Sequence, residues 1–237
     1  MTMTTAKKGE VKLRLAGTGT AVINWGDGTP DKTVTLSTHE DDSDVISHTY
    51  SISTPRTITI TGDNIAELSC GNNQLTALDV SRNTTLTSLN CWGNQITSLD
   101  VSGNKLLERL YCFQNQLTNL DVSENKSLES FSCCFNQITA LDVSQNLELI
   151  CLDCEKNQLT SLDASQNKTL WYLNCSSNQL SAVALNTLFA SLHANQVIRD
   201  DNGEILDKRC KIKGNSGAAE CDQSIATTKE WEIDDEF

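Results

Sequence analysis

Ten cysteines and a regular row of aspartates are the residues of this 237-residue chain whose types and spacing could do chemistry. Cys151-x-x-Cys154, the adjacent Cys133 and Cys134, and the outlying Cys210 and Cys221 have spacings that suggest zinc or disulfides. Direction decides against zinc at Cys151-x-x-Cys154, because residues three apart in a strand point to opposite faces and no single ion reaches both thiols. Asp79, Asp100, Asp121, Asp142 and Asp163 form the second row. They either accept hydrogen bonds from neighbouring Ser and backbone N–H groups or share cations such as calcium, and local bonding is the expectation. His39, His48 and His193 are the only imidazoles. No nucleophile elbow, phosphate-binding loop or dinucleotide-binding glycine pattern accompanies them, so neither catalysis nor a cofactor or metal is expected.

The elements that would position these residues follow from a repeat. Leu68, Leu89, Leu110, Phe131, Leu152 and Leu173 are each 21 residues apart. Two residues after each stands Cys70, Cys91, Cys112, Cys133, Cys154 or Cys175, and three further on Asn73, Asn94, Asn115, Asn136, Asn157 or Asn178, each followed by Gln. Leu78, Leu99, Leu120, Leu141 and Leu162 then recur within LDVSxN-like segments.

A 21-residue coil holds too few apolar side chains to bury itself, so it must stack on its neighbours at roughly 4.8 Å per coil. Identical residues then form ladders. Leu89, Cys91, Ile96, Leu99, Val101 and Leu107 point inward, and each such burial is worth roughly 1.5 to 3 kcal/mol. Cys91, Cys112, Cys133, Cys154 and Cys175 read as buried free thiols acting as small apolar residues, since side-by-side vectors suit the disulfide torsion poorly. Pairing of Cys210 with Cys221 stays open. Asn94, Asn115, Asn136 and Asn157 stand at tight corners, where an amide both donates to and accepts from backbone groups that no strand satisfies. The period-two alternation of LDVSxN predicts a second short strand in each coil.

The unit LTSLNCWGNQITSL (86 to 99) resembles the leucine-rich repeat, LxxLxLxxNxLxxL, with Cys at the third apolar place. The resemblance covers about residues 65 to 185. It implies an α/β-class leucine-rich-repeat solenoid, mostly β, a right-handed superhelix of about six to seven coils. The flanks read as caps over its apolar ends. VKLRLAG, AVINWGDGT, KTVTLST, ISHTYS and TITITG predict hairpin strands. WGDGT, HTY and TITIT resemble the polycystic-kidney-disease (PKD) type of immunoglobulin-like sandwich, and the segment reads as a partial sandwich fused to the first coil. Asp27 and Asp31 read as turn-stabilising, the run at 39 to 44 as a solvated loop. Ser181 to His193 carries apolar Val183, Leu185, Leu188, Phe189 and Leu192 at helical spacing, with Ser181 as cap and His193 as a surface or capping residue. RCKIKGNSG repeats the strand and Asn corner, Asp222 starts a short helix through Lys229, and a WEI strand follows. The division expected is 1–60 (PKD-like cap), 61–180 (solenoid) and 181–237 (C-terminal cap).

The net charge of −13 and the absence of a clustered Lys/Arg face argue against nucleic acid and an anionic membrane surface. No apolar run approaches the roughly 18 residues that span a bilayer, and MTMTTAKKGE lacks the apolar stretch of a signal peptide.

Residues flanking the inward rungs face solvent on the strand side: Ser88, Asn90 and Trp92, then Arg109, Tyr111 and Phe113, and further on Tyr172. Trp92, Tyr111 and Phe113 on adjacent rungs either make an apolar contact patch, with Arg109 as the nearby positive charge, or cover one another. The resemblance to leucine-rich-repeat proteins, and to internalins in particular, implies a non-enzymatic module of a secreted or cell-surface bacterial protein that binds a protein, or a glycan, through this face. The competing reading is a spacer or stalk within a larger envelope protein. Ligand identity and oligomeric state are not legible.

Overall fold

The computed structural model describes residues 1–38, 45–198 and 205–235; the run at 39 to 44, with His39, lies outside the described residues. The chain opens with β1 (Thr2–Thr5), β2 (Gly9–Thr18), β3 (Thr20–Asn24), β4 (Lys32–Thr35), β5 (Ile46–Tyr50) and β6 (Arg56–Thr61). Repeating coils follow, carrying β7 (Asn64–Ser69), β8 (Leu75–Asp79), β9 (Ser88–Asn90), β10 (Arg109–Tyr111), β11 (Ser130–Ser132), β12 (Cys151–Asp153) and β13 (Tyr172–Asn174). The C-terminal part holds α1 (Ala182–Ser191), β14 (Val197–Ile198), β15 (Ile205–Leu206), β16 (Lys208–Lys211), α2 (Ser224–Thr227) and β17 (Trp231–Asp234).

β7, β9 to β13, β16 and β17 run parallel in that order, giving a mostly-β solenoid of about eight turns where six to seven were expected. Register is kept by the core column: Leu68, Leu89, Leu110, Phe131, Leu152, Leu173, Cys210 and Ile233 lie side by side. Leu89 and Leu110 are fully buried, as are Cys91, Cys112, Cys154 and Cys175, so stacking removes the apolar surface that no coil can bury alone.

Two columns of asparagine close the corners. Asn115 accepts the Ile96 N–H at 3.0 Å in the preceding coil while its Nδ2 donates to Cys91 O and Cys112 O, both at 3.0 Å. Asn94, Asn136, Asn157, Asn178 and Asn215 repeat the arrangement. The second column was not anticipated. Asn104, Asn125, Asn146 and Asn167 are buried and donate to carbonyls of the preceding coil, as Asn125 does to Val101 O and Asn104 O.

The second strand expected in every coil forms only in the first, where β8 pairs with β1. In later coils one backbone bond joins the segments, such as Gln116 N–H to Ile96 O. Asp79 takes the Ser81 N–H in the same way in the coil that does form β8, so the difference lies in the partner: β1 runs antiparallel beside β8, whereas among the described residues the later segments have no such strand and turn at once, as through Asn104 N–H to Val101 O.

At the N-terminal end, β2 pairs with β7 and β5, extending the parallel sheet, while β4, β3, β6, β1 and β8 form a second sheet. Val11, Leu13, Met3, Ile23, Ile58 and Ile60 fill the space between and join one hydrophobic core that continues through the coils. At the other end α1 replaces the second half of a coil. Ser181 Oγ accepts the Ala184 N–H, Leu185, Leu188 and Phe189 are buried, and the Lys229 ammonium donates to Phe189 O, Ala190 O and Leu192 O at the helix C-terminus. α2 is only 4 residues long, shorter than the helix expected to reach Lys229.

Candidate functional site

The strand face is built by three outward columns that flank the core rungs. The first holds Glu67, Ser88, Arg109, Ser130, Cys151, Tyr172, Arg209 and Glu232, and the second Ser69, Asn90, Tyr111, Ser132, Asp153, Asn174, Lys211 and Asp234. The third follows each ladder cysteine: Gly71, Trp92, Phe113, Cys134, Glu155 and Ser176.

Trp92, Arg109, Tyr111 and Phe113 come together on β9 and β10 and the turns after them, each half-buried rather than fully exposed. Trp92 and Phe113 stack with ring centroids 5.6 Å apart and planes 14° from parallel. The Arg109 guanidinium crosses β9 to reach Glu67 at 3.2 Å, and the Tyr111 hydroxyl meets Ser130 Oγ at 3.1 Å. Tyr172 lies three strands away, about 14 Å at the usual strand spacing, beside Trp171 and outside this cluster. Burial, with the charges of Asp153 and Glu155, raises its phenol pKa. Asp153 is itself raised, chiefly by burial.

Sequence reasoning missed the corner before each ladder asparagine. Asn72, Gly93, Gln114, Phe135, Lys156, Ser177 and Gly214 all adopt left-handed backbone, which turns the chain inward so that the Asn amide reaches both coils. Only two of them are glycine, so composition hid the signal.

Inside the coil all the ladder cysteines are free thiols. Burial pushes the Cys91 thiol up to about 12 and the thiols of Cys70, Cys112, Cys133 and Cys154 well above the ordinary range. Such thiols are neither nucleophiles nor metal ligands at neutral pH. Cys210 is a buried free thiol near Cys175, whose own thiol donates to Lys211 O at 3.3 Å, and Cys221 is free and half-buried. Among the described residues no group of three or more His, Cys, Asp or Glu converges to hold a metal ion.

The aspartate column lies on the opposite side. Ser102 donates to Asp100 Oδ1 through N–H at 3.0 Å and through Oγ at 2.7 Å, and the N–H bond recurs at Asp79, Asp121, Asp142 and Asp163. These serine bonds hold the carboxyls of Asp79, Asp100, Asp121 and Asp142 below the usual range.

In the cap, Trp25 and His48 stack at 4.8 Å, the Tyr50 hydroxyl donates to Trp25 O at 2.6 Å, and His48 Nε2 stands 2.7 Å from Asp27. Thr29 bonds to Asp27, and then His48, bring its pKa down to about 2, so Asp27 fastens a turn. His193, expected as a surface or capping residue, is buried: its Nε2–H donates to Leu170 O at 2.7 Å and its Nδ1 accepts the Asn195 N–H at 3.1 Å.

No family model matches the chain, and no curated protein matches it. Among solved structures it is similar to an internalin from Listeria monocytogenes, with a TM-score of 0.55 and 19% identity over 71% of this chain and 46% of that one. It is also similar to a leucine-rich-repeat protein from Leptospira interrogans, with a TM-score of 0.56 and 28% identity over 73% of this chain and 49% of the other. The chain thus spans about half the length of the structures it matches. The fold is that of the leucine-rich-repeat, internalin-like solenoids.

Proposed function

We propose that the chain is a non-enzymatic recognition module that binds a protein partner through its strand face. One observation carries this reading: the scaffold columns are nearly uniform from coil to coil, whereas the outward columns change residue at every coil, from Trp92 to Phe113, Cys134, Glu155 and Ser176. A support that needed only to stack would have no reason to vary that face and keep the other constant. On this reading Trp92, Arg109, Tyr111 and Phe113 form the first contact area and Tyr172 an outlying one. The protein works at the cell surface or after secretion, residues 1–60 serve as a PKD-like cap, 61–180 as the binding solenoid, and 181–237 as the C-terminal cap. Among the described residues no helix is long and apolar enough to cross a membrane.

The stalk reading draws on one contact, the stacking of Trp92 on Phe113, which shields both rings. A screen of the immobilised protein against arrayed extracellular proteins and glycans separates the two, with Trp92→Ala/Phe113→Ala as the paired variant. An interface anchor loses about 2 kcal/mol on truncation, roughly thirtyfold in affinity. Loss of a protein hit in the variant, while it remains folded at the assay temperature, supports recognition by this face. A folded variant that binds at full strength contradicts it.

A further inference from the structure

The strand face continues past the aromatic cluster over the last coils. Beyond β12 it forms a concavity of about 440 Å3 whose floor is Asn174 and Ser176 and whose walls carry Lys156, Lys211, Lys213 and Asp234. Its acceptors are engaged. Glu155 takes the Asn174 amide at 3.2 Å, and Asp234 stands 3.8 Å from the Lys211 ammonium. Asn174 is fixed from its other side by the Ser176 N–H at 3.1 Å.

Its donors are not all used. Ser176 is 8% exposed, yet its hydroxyl has no hydrogen-bond partner among the described residues, and the side that is open faces the concavity. The ammonium of Lys213 likewise has no partner among the described residues, and Ser177 brings a second unengaged hydroxyl to the rim. Two hydroxyl donors and a cation call for an anionic acceptor.

The neighbouring strands show what form of anion fits. Arg209, Lys211 and Lys213 recur at two-residue intervals along and just beyond β16, the period of alternate side chains in any extended segment. β17 already exploits that match, setting Glu232 against Arg209 at 3.1 Å and Asp234 against Lys211. We propose that the concavity receives an Asp or Glu side chain from an extended segment of the protein partner, its carboxylate held by Lys213 and Ser176. This rests on the strand-face reading above and adds the chemistry of the partner to it.

The test needs no partner. The labelled protein is titrated with N-acetyl-glutamate methylamide, with the uncharged N-acetyl-glutamine methylamide, and with inorganic phosphate, while backbone amide resonances are followed. The glutamate probe should shift the amides of Ser176, Ser177 and Lys213, and the glutamine probe should not. Lys213→Gln and Ser176→Ala should each weaken glutamate binding about threefold, the scale of one exposed charge pair or hydrogen bond. Neither change removes a core group, and unaltered thermal unfolding verifies that both variants fold. No shift with the glutamate probe, equal shifts with glutamine, tighter binding of phosphate, or unchanged affinity in both variants would overturn the assignment. A partner whose binding requires Trp92 and Phe113 but ignores Lys213→Gln also overturns it while leaving the strand-face reading intact.

Discussion

Trp92 stands on Gly71: a Cβ at that glycine would lie 2.3 Å from the indole Nε1 and 2.5 Å from Cδ1. With Phe113 stacked 5.6 Å away, the indole is held between a bare backbone and a second ring. The aromatic column can therefore begin only because the preceding coil has no side chain there. Gly71→Ala should displace the indole, red-shift tryptophan emission and reduce unfolding free energy by about 1 to 3 kcal/mol, the usual result of overpacking. Unchanged emission and stability would show that Trp92 does not rest on Gly71.

The two asparagine columns differ in a way that denaturation can read. Asn115 uses its carbonyl and its amide, whereas the Oδ1 of Asn125 has no hydrogen-bond partner among the described residues. Asn115→Ala leaves the buried Ile96 N–H without a partner, while Cys91 O and Cys112 O keep the amides of Asn94 and Asn136, so a loss of about 1 to 3 kcal/mol is expected. Asn125→Ala should lose less, because only the bonds to Val101 O and Asn104 O disappear.

Thiol labelling tests the interior ladder. Cys91, Cys112, Cys133, Cys154 and Cys175 are completely buried, and none should react with an aromatic disulfide reagent until the chain unfolds. Cys151 and Cys221, each half-buried, should be the first to label in the native protein. Rapid native labelling of most of the ladder would remove the claim that thiols serve there as small apolar rungs.

His193 gives the stability a pH dependence of known sign. Burial is the main cause that lowers its pKa from the ordinary value of 6.5. The unfolded chain therefore binds the proton more readily, and the His193 contribution is complete above about pH 6.5 and declines as pH falls below it. His193→Gln, which can still donate to Leu170 O, should flatten unfolding free energy between about pH 7 and 5. A slope identical to that of the unmutated protein would assign the dependence to other groups.

Much of this architecture could be read from the residues, and the exceptions have physical causes. The Leu, Cys and Asn columns fall where their period puts them, because every coil meets the same demand to bury one face. α1 was legible from helical spacing and its Ser181 cap. β1 was not: Thr2–Thr5 is 4 residues long, and its partners β6 and β8 lie far along the chain, beyond the reach of any local pattern. The missing second strands reflect a partner that alternation cannot see, since only Leu75–Asp79 has β1 running antiparallel beside it. Of the candidate site, the residues were legible and their packing was not. Trp92 read as exposed because nothing in its own coil shows that Gly71 leaves room beneath it. The cavity near β16 stayed hidden because α1 and the segment after it interrupt the period. Cys210 consequently pairs in register with Leu173, in the column that leucine and Phe131 fill in the earlier coils.

Hydroxyl-radical footprinting of the complex with a partner found on the array tests recognition by the strand face most directly, because it reads side chains rather than strand amides that already exchange slowly. The account predicts reduced oxidation of Trp92, Tyr111, Phe113 and Tyr172 in the complex, with Leu106 and Leu147, which are 54% and 53% exposed in the turns leading into the strands, labelled as in the free protein. Protection of Leu106 and Leu147 with the four aromatics unchanged would contradict it and move the binding surface off the strand face.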